Sequence, residues 1–433
     1  MSEKGKGKKP KSRKWRLARR IILVTAILGV SALCIFTPFI SCVGEALRAA
    51  PDPVPEGKET FGKLERINGV AVLTLWGTPY QRGFAHGKLM AQGVLDTLDA
   101  VCGSNLLLGD TKDYERKILP MMERFTFAKE DAEELQGVYD GVKAALGDKA
   151  VLERIGRALT LEDLKAYNTV GDWYRQACST FAAWGTRATE GHVWVGRNFD
   201  FPPAKAFFSH QMIVRHKRRG DRNAWITVSA PGMIGCITGV NEHHVFVSVH
   251  DVFLPLRPLA KDYAPRLLVL RRLMETCKAR DLKAQALPIL EARRQMFDNS
   301  VLLAAPVTDG TDPGVVFEYN GDLSADKGVT VRTSADNEEK LSREMITCIN
   351  RFDKRAGEDM GYPLIMLSSY RASLMRNVLM AKTKRGLLVD FDIARKTMGA
   401  VRLPLTVHTV IVDLNTLDFW YASGQFLSPP GNH

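Results

Sequence analysis

An uncharged apolar stretch over residues 21–40 most constrains what this chain can become. As a helix at about 1.5 Å per residue it would extend about 30 Å, the thickness of the hydrocarbon core of a bilayer. Residues 1–20 hold ten Lys and Arg residues and a single acid, Glu3. Basic residues ahead of an apolar helix keep the N-terminus in the cytoplasm. The sequence therefore predicts a basic cytoplasmic tail over 1–20, a transmembrane segment over 21–41 and an extracytoplasmic body.

Two other fates of this segment stay open. A cleaved signal peptide would leave the body secreted, but the apolar run is longer than the 7–15 residues usual for such peptides. Residues 39–42 loosely resemble a bacterial lipoprotein cleavage box, which would place a lipid on Cys42, although Phe39 departs from that pattern. We therefore expect a retained signal anchor ahead of secretion or lipidation.

The basic tail also explains most of the net charge of +12. Residues 1–20 contribute +9, so the rest of the chain carries only +3. Nucleic-acid binding rests on a concentrated basic surface, which so neutral a body does not indicate. The partners we expect are the membrane, through the N-terminal segment, and a small-molecule or lipid substrate, and not nucleic acid.

The body changes texture along its length. A Pro-rich linker is predicted over 42–64, and residues 65–177 look mostly helical after a β-like run at 67–76. Thr160 begins a capping-box pattern that predicts a helix to about residue 175. Helices are also predicted over 263–297 and 364–381. The predicted strands cover 178–184, 192–199, 211–216, 224–229, 235–240, 245–250, 299–305, 315–319, 329–333, 407–413 and 418–423. Strands and helices in separate bunches indicate an α+β fold.

Seven cysteines are present and none forms a CxxC pair, so zinc-ribbon and thioredoxin-like sites are not indicated. Five of them lie in the body, where an oxidising compartment would allow up to two disulfides. An isolated cysteine is more often a buried apolar residue than a nucleophile. We interpret four of the five in that way and single out Cys178 because of its neighbours.

Cys178 begins a strand–turn–strand segment that also carries Arg197 and Asp200. If residues 188–191 form a four-residue loop, Cys178 lies opposite Phe201, and the three groups come within one to four residue steps. A guanidinium beside a thiol lowers the thiol pKa and favours the thiolate. An ordinary hairpin with a surface Arg–Asp pair fits the same spacing equally well.

The segment 178–201 (CSTFAAW…GHVWVGRNFDF) resembles the nucleophile hairpin of the choloylglycine hydrolase superfamily. The nearest branch is the isopenicillin N acyltransferase-like family of autoproteolytic hydrolases and acyltransferases, and residues 77–87 (GTPYQRGFAHG) resemble its upstream marker. The resemblance covers about residues 65–428 and implies a four-layer αββα sandwich of the N-terminal-nucleophile (Ntn) hydrolase type, with neither a cofactor nor a metal. Further matches lie at 239–242, 316–318, 368–371 and 406–424.

The resemblance implies that the chain cleaves itself between Ala177 and Cys178. Residues 65–177 would then form an α chain, and residues 178–433 the catalytic β chain. The freed α-amino group of Cys178, with an ordinary pKa of about 7.7–8.0, would be the base for its own thiol. In this scheme Arg197 polarises the thiolate and the substrate, and Asp200 holds the amine.

Other family positions transfer less directly. Arg371 fits the later active-site arginine, and Asn241 fits an N-E-x-G turn in which His244 replaces the glycine. The oxyanion-donor asparagine falls at Asp251, an anion and therefore a poor donor to an oxyanion. A second asparagine that follows a threonine falls at Ser334, with Asn337 nearby.

These observations predict an amidohydrolase or N-acyltransferase that acts on a linear C–N amide bond through a Cys178 thioester. The acyl group, the amine and the choice between water and an acyl acceptor stay open. A phospholipase B-like lipid ester hydrolase is one alternative. The other is a catalytically impaired, membrane-anchored binding module of the same fold, which the altered oxyanion positions motivate.

Overall fold

The computed structural model describes residues 40–41, 60–104, 112–174, 176–201, 208–252, 260–292, 294–320, 328–337, 343–355 and 363–424. The predicted cytoplasmic tail and nearly all of the predicted transmembrane segment lie outside these residues. No helix in the described ranges is long and apolar enough to span a bilayer. The last two residues of the predicted segment, Ile40–Ser41, form a short strand and not a helix.

Strands and helices are numbered separately in chain order. Strands β1 to β17 cover Ile40–Ser41, Gly62–Ile67, Val70–Leu75, Val151–Leu152, Arg157–Ala158, Ala177–Ala183, Trp194–Asp200, Met212–His216, Trp225–Ser229, Thr238–Asn241, Phe246–Asp251, Asn299–Ala304, Gly314–Tyr319, Val329–Thr333, Met345–Ile349, Thr406–Asp413 and Asp418–Ser423. Helices α1 to α9 cover Pro79–Leu89, Ala91–Cys102, Lys129–Leu146, Leu161–Asn168, Val170–Trp173, Arg266–Thr276, Leu282–Glu291, Pro363–Lys384 and Phe391–Ala400. Shorter helical turns lie between some of them.

Two large sheets form the centre of the molecule. One has the strand order β1-β17-β16-β7-β6-β15, and the other has the order β14-β13-β12-β11-β10-β9-β8-β3-β2. Neighbouring strands are antiparallel except for β3 and β8, which run parallel. Strands β4 and β5 form a separate two-stranded ribbon.

Apolar side chains divide the fold into four layers. Strands β6, β7 and β16 bury one face against β9 to β12 of the larger sheet, with Val195 and Phe246 among the residues between the sheets. The other face of the smaller sheet packs on α8 and α9. The outer face of the larger sheet packs on the remaining long helices. This is the αββα sandwich that the sequence resemblance implied, because each sheet is apolar on both faces and needs a cover on each.

The predicted α chain is not a separate domain. Strands β2 and β3 belong to the larger sheet, where Leu73 of β3 pairs with Val214 of β8. Val94 and Leu135, from the same part of the chain, share one apolar core with Val247 and Leu273. Residues on both sides of the Ala177–Cys178 bond therefore build the same core.

Local sequence signals explain several element boundaries. Asn68 and Gly69 both have positive φ (49° and 81°), so they form the tight turn between β2 and β3. Thr160 caps α4 through a capping box with Asp163, as predicted, but the helix ends at Asn168 and not near residue 175. The predicted helix over 263–297 is divided into α6 and α7. Strand β15 and helix α9 were not predicted.

Candidate active site

The hairpin of β6 and β7 differs from its predicted register by two residues. Cys178 pairs with Phe199 and not with Phe201. The connection between the strands is longer than predicted because two 3₁₀ turns, Gly185–Arg187 and Thr189–Gly191, replace the four-residue loop. A shift of two residues leaves every side chain on the same face of a sheet. Arg197 therefore still lies on the face of Cys178, as its diagonal neighbour across the strands.

Arg197 is fixed beside the sulfur of Cys178. Its Nη2 donates to Cys178 Sγ at 3.4 Å, and its Nη1 donates to the carbonyl oxygen of Val249 at 3.1 Å. The guanidinium is fully buried. Such a cation favours the thiolate over the thiol, as expected for a residue that supports a nucleophile.

The thiol of Cys178 is nonetheless shielded from solvent and protonated in the intact chain. Cys178 is only 1% exposed. Burial raises the pKa of its thiol to about 11, although Arg197 opposes this effect. A molecule in solution can reach the sulfur only if the residues that cover it move.

Asn350, which the sequence analysis missed, brackets the Ala177–Cys178 bond. Its Oδ1 accepts the backbone N–H of Cys178 at 2.7 Å. Its Nδ2 donates to the carbonyl oxygens of Gln176 at 3.0 Å and Asp251 at 2.9 Å. Asn350 directly follows β15, whose Ile349 pairs with Ser179. A polar residue at the end of the short apolar run MITCI was the available signal.

Asp200 and Arg371 lie together on the opposite face of β6 from the thiol. Asp200 pairs with Ala177 across the hairpin. Arg371, on α8, forms an ion pair with Asp200 at 2.8 Å and donates to Ser179 Oγ at 2.8 Å. Both charged groups are buried. They hold the start of β6 and place a carboxylate opposite Ala177, the residue before Cys178.

Asp251 also lies at the site, but it is not arranged as a donor. Its carboxylate forms an ion pair with the fully buried Arg266 and accepts the backbone N–H of Gln176. Arg266 donates in turn to the carbonyl oxygen of Gly171. Burial raises the pKa of the neighbouring Asp172 to about 7, despite the opposing effect of Arg266. This cluster holds the segment that precedes Cys178.

The structure does not bring Asn241, Ser334 and Asn337 to Cys178, which corrects their assignment as site residues. The amide of Asn241 donates to the carbonyl oxygens of Met274 and Cys277, at the end of α6. It lies at the β10–β11 turn, and Asp251 is at the other end of β11, about 17 Å away at 3.3 Å per residue.

The other two residues are occupied elsewhere. Ser334 binds Asp312 through its hydroxyl at 2.9 Å. Asn337 donates to the carbonyl oxygen of Met345 at 2.7 Å, at the opposite end of β15 from Asn350. These side chains stabilise loops and do not face the thiol.

The remaining cysteines take the structural role that was expected of them. Cys102, Cys236, Cys277 and Cys348 are buried and free, and Cys178 is also unpaired. The disulfides that an oxidising compartment would allow are therefore not formed among these five residues. In the described part of the chain, no group of three His, Cys, Asp or Glu residues is placed to hold a metal ion.

Sequence comparisons find distant relatives. No family model matches the chain. Protein dcd1A of Dictyostelium discoideum is 25% identical over 225 residues, which make up 44% of this chain and 47% of that protein. An uncharacterized protein of Archaeoglobus fulgidus is 25% identical over 201 residues, or 43% of this chain and 33% of that protein. The matched region thus spans less than half of each of these curated relatives.

The solved structures that are similar to this chain include an acid amidase and a bile acid hydrolase. The Caenorhabditis elegans orthologue of N-acylethanolamine-hydrolyzing acid amidase is 16% identical with a TM-score of 0.39, over 55% of this chain and 93% of that one. A variant of conjugated bile acid hydrolase from Clostridium perfringens is 12% identical with a TM-score of 0.36, over 57% and 89%. Both belong to the choloylglycine hydrolase and Ntn-hydrolase family that residues 178–201 resemble. The four layers themselves carry the fold assignment.

Proposed function

We propose that this protein is a cysteine Ntn hydrolase that cleaves itself between Ala177 and Cys178 and then acts on a linear amide bond. One observation carries the proposal: Cys178, the second residue of the central strand β6, has Arg197 on its sulfur, while Asn350 binds the N–H of Cys178 and the carbonyl oxygen of Gln176, one group on each side of the scissile bond. A structural hairpin has no need to clamp one peptide bond in this way.

The self-cleavage that we propose needs only the chain and water. The thiol of Cys178 adds to the carbonyl carbon of Ala177, and the C–N bond breaks with transfer of a proton to the leaving nitrogen. Ala177 is then held as a thioester on the sulfur. Water hydrolyses the thioester, which gives a carboxylate on Ala177, a free thiol and a free α-amino group on Cys178.

The freed amine changes the chemistry of the thiol. It takes the thiol proton, and the thiolate attacks the carbonyl carbon of a substrate amide. The amine of the substrate leaves with that proton, and water or an acyl acceptor then resolves the new thioester. Arg197 stabilises the thiolate throughout. Asp200, which pairs with Ala177 in the intact chain, is the carboxylate that would hold the ammonium form.

Asn350 supplies the donor that Asp251 cannot. In the intact chain its Nδ2 donates to the carbonyl oxygen of Gln176, a partner that would move away with the freed end of the α chain. A free amide N–H beside the sulfur can stabilise the oxyanion of a tetrahedral intermediate. This arrangement favours a working enzyme over the catalytically impaired binding module.

The substrate class follows from the body and its tether. A nearly neutral body suits a small-molecule or lipid amide, and the predicted transmembrane segment would keep the enzyme at a membrane surface outside the cytoplasm. A lipid ester hydrolase on the same fold would release a fatty acid and an alcohol. An amidase would release an amine, so analysis of the products separates the two.

N-terminal sequencing of the purified protein tests the proposal. We expect a large fragment that begins at Cys178, and we expect this fragment to be absent from Cys178→Ala. Cys236→Ala is a matched control because Cys236 is an equally buried free cysteine at another place in the core. Cleavage that persists in Cys178→Ala, or an uncleaved wild-type chain that turns over amides, would overturn the proposal.

A further inference from the structure

A polar recess lies at one end of the strands of the larger sheet, opposite to the end that is near Cys178. It is formed by the ends of β3 and β8, the start of β9, and the facing sides of α1 and α6. Trp225, in its wall, pairs with Asn241, which lies at the end of the β10–β11 hairpin away from Asp251. No step proposed for Cys178 uses this recess.

A chain of buried ion pairs surrounds the recess and carries excess positive charge. Its members alternate without a break, with Glu134 between Arg82 and Arg271, and Glu275 between Arg271 and Arg222. The whole network contains five arginines and four acids: Arg82, Arg219, Arg222, Arg271, Arg272, Glu130, Asp131, Glu134 and Glu275. The network alone therefore has a net charge of +1.

Lys217 adds a further positive charge to the wall of the recess. Its ammonium lies 5.2 Å from the centre of the Trp76 ring and forms no ion pair with the described residues. Together with the ion-pair network, Lys217 gives these ten groups a net charge of +2.

His216, in the same wall, has a ring nitrogen without a hydrogen-bond partner among the described residues. Its ring stacks on Trp225 with centroids 4.1 Å apart, and it is 5% exposed. The nitrogen without a partner is the buried Nδ1. Burial, followed by the cations Arg271 and Arg82, holds the pKa of His216 well below its ordinary value, so the ring is neutral and offers one N–H.

We propose that this recess binds a phosphate-type oxyanion, either free phosphate or a phosphorylated headgroup. A phosphate monoester carries a charge of about −1.5 to −2 at neutral pH, which matches the net +2 of these groups. Its oxygens accept from ammonium and imidazole donors together, which are the two groups left without partners. Ion pairs that only fastened α1 and α6 to the sheet would account for the arginines but not for Lys217 and His216.

Calorimetric titration of the full chain with inorganic phosphate tests this site. We expect saturable binding to one site. Lys217→Met removes the charge but keeps an aliphatic stem over Trp76, and it should weaken binding about tenfold, as loss of one charge-assisted hydrogen bond does. His216→Phe keeps the stacking on Trp225 and should also weaken binding. Arg218→Met should change nothing, because Arg218 pairs with Glu242 outside the recess.

Vesicles distinguish the two sources of the oxyanion. Phosphatidylcholine vesicles with and without phosphatidic acid are compared for wild type and Lys217→Met, because the basic N-terminal tail is common to both proteins. Weaker retention of Lys217→Met indicates a headgroup, and equal retention with intact phosphate binding indicates free phosphate. The inference is wrong if neither phosphate nor phosphatidic acid binds in a Lys217-dependent way, or if phosphate binds both recess variants as tightly as wild type.

Discussion

Asn350→Ala should slow self-cleavage strongly without destabilising the chain more than a matched substitution does. Asn350 accepts one backbone N–H and donates to two backbone carbonyl oxygens, at 2.7, 3.0 and 2.9 Å. Asn168 makes the same three kinds of bond, at 2.8, 2.9 and 2.9 Å, between α4 and the loop before β10. Both side chains are buried. The two residues thus differ mainly in whether they touch the scissile peptide.

The magnitudes separate stability from cleavage. Each substitution removes three hydrogen bonds to buried backbone groups, so we expect each to lower the free energy of unfolding by about 3–5 kcal/mol. Only Asn350 fixes the groups on both sides of the bond that Cys178 attacks. Misplacement of reacting groups by about 1 Å costs about 10²-fold in rate, so Asn350→Ala should cleave about a hundredfold more slowly than Asn168→Ala.

Two measurements test this expectation. Urea unfolding is measured in a Cys178→Ala background, in which every chain stays intact, and cleavage is followed by mass spectrometry in chains that keep Cys178. Comparable losses of stability with a large difference in cleavage rate support the clamp. Equal cleavage rates in the two variants would refute it, and Asn350 would then have only a structural role.

Three further outcomes follow from the described contacts. Arg197→Met should slow both self-cleavage and alkylation of Cys178 about tenfold or more, because the thiol loses its adjacent cation, whereas Arg187→Met, on the loop between β6 and β7, should not. After cleavage the two fragments should co-elute in size-exclusion chromatography and separate only in denaturant, because β3 stays paired with β8. Burial opposes ionisation of Glu134, but Arg271 and Arg82 outweigh it and hold its pKa at about 2. The stabilisation is therefore present above pH 4.5 and lost as the pH falls towards 2, and acid titration of Glu134→Gln should show a smaller loss over this range.

The α+β class and most strands were predictable from residue patterns, the four-layer arrangement followed only from the family resemblance, and the register was not predictable. Alternation of apolar and polar residues placed most strands within a residue or two of their observed bounds. The β6–β7 register depended on the geometry of the connection, where Glu190 adopts a positive φ of 58° that its sequence does not signal. The error of two residues was harmless to the site because it preserved the faces of the strands.

The candidate site was predictable only where its residues lie on one hairpin. Arg197 and Asp200 are close to Cys178 along two paired strands, so spacing alone could place them. Asn350 reaches Cys178 from 172 residues away, through the pairing of β15 with β6. Asn241 shows the opposite error, because a local turn pattern matched the resemblance while the hairpin carried it to the wrong end of the sheet.

The intact chain also explains why cleavage would activate this thiol. Burial raises the pKa of the thiol to about 11, and the strand continues through Ala177 into the segment held by Asp251 and Arg266. Cleavage would turn the nitrogen of Cys178 from a hydrogen-bond donor into a base, release a donor of Asn350 and allow that segment to move away. Arg197 contacts the sulfur of Cys178 and the carbonyl oxygen of Val249, neither of which belongs to the segment before Cys178, so it would act in the same way before and after cleavage. A variant at Arg197 should therefore impair both steps, whereas one at Arg266 should affect cleavage and movement of the segment but not the chemistry of an enzyme already cleaved.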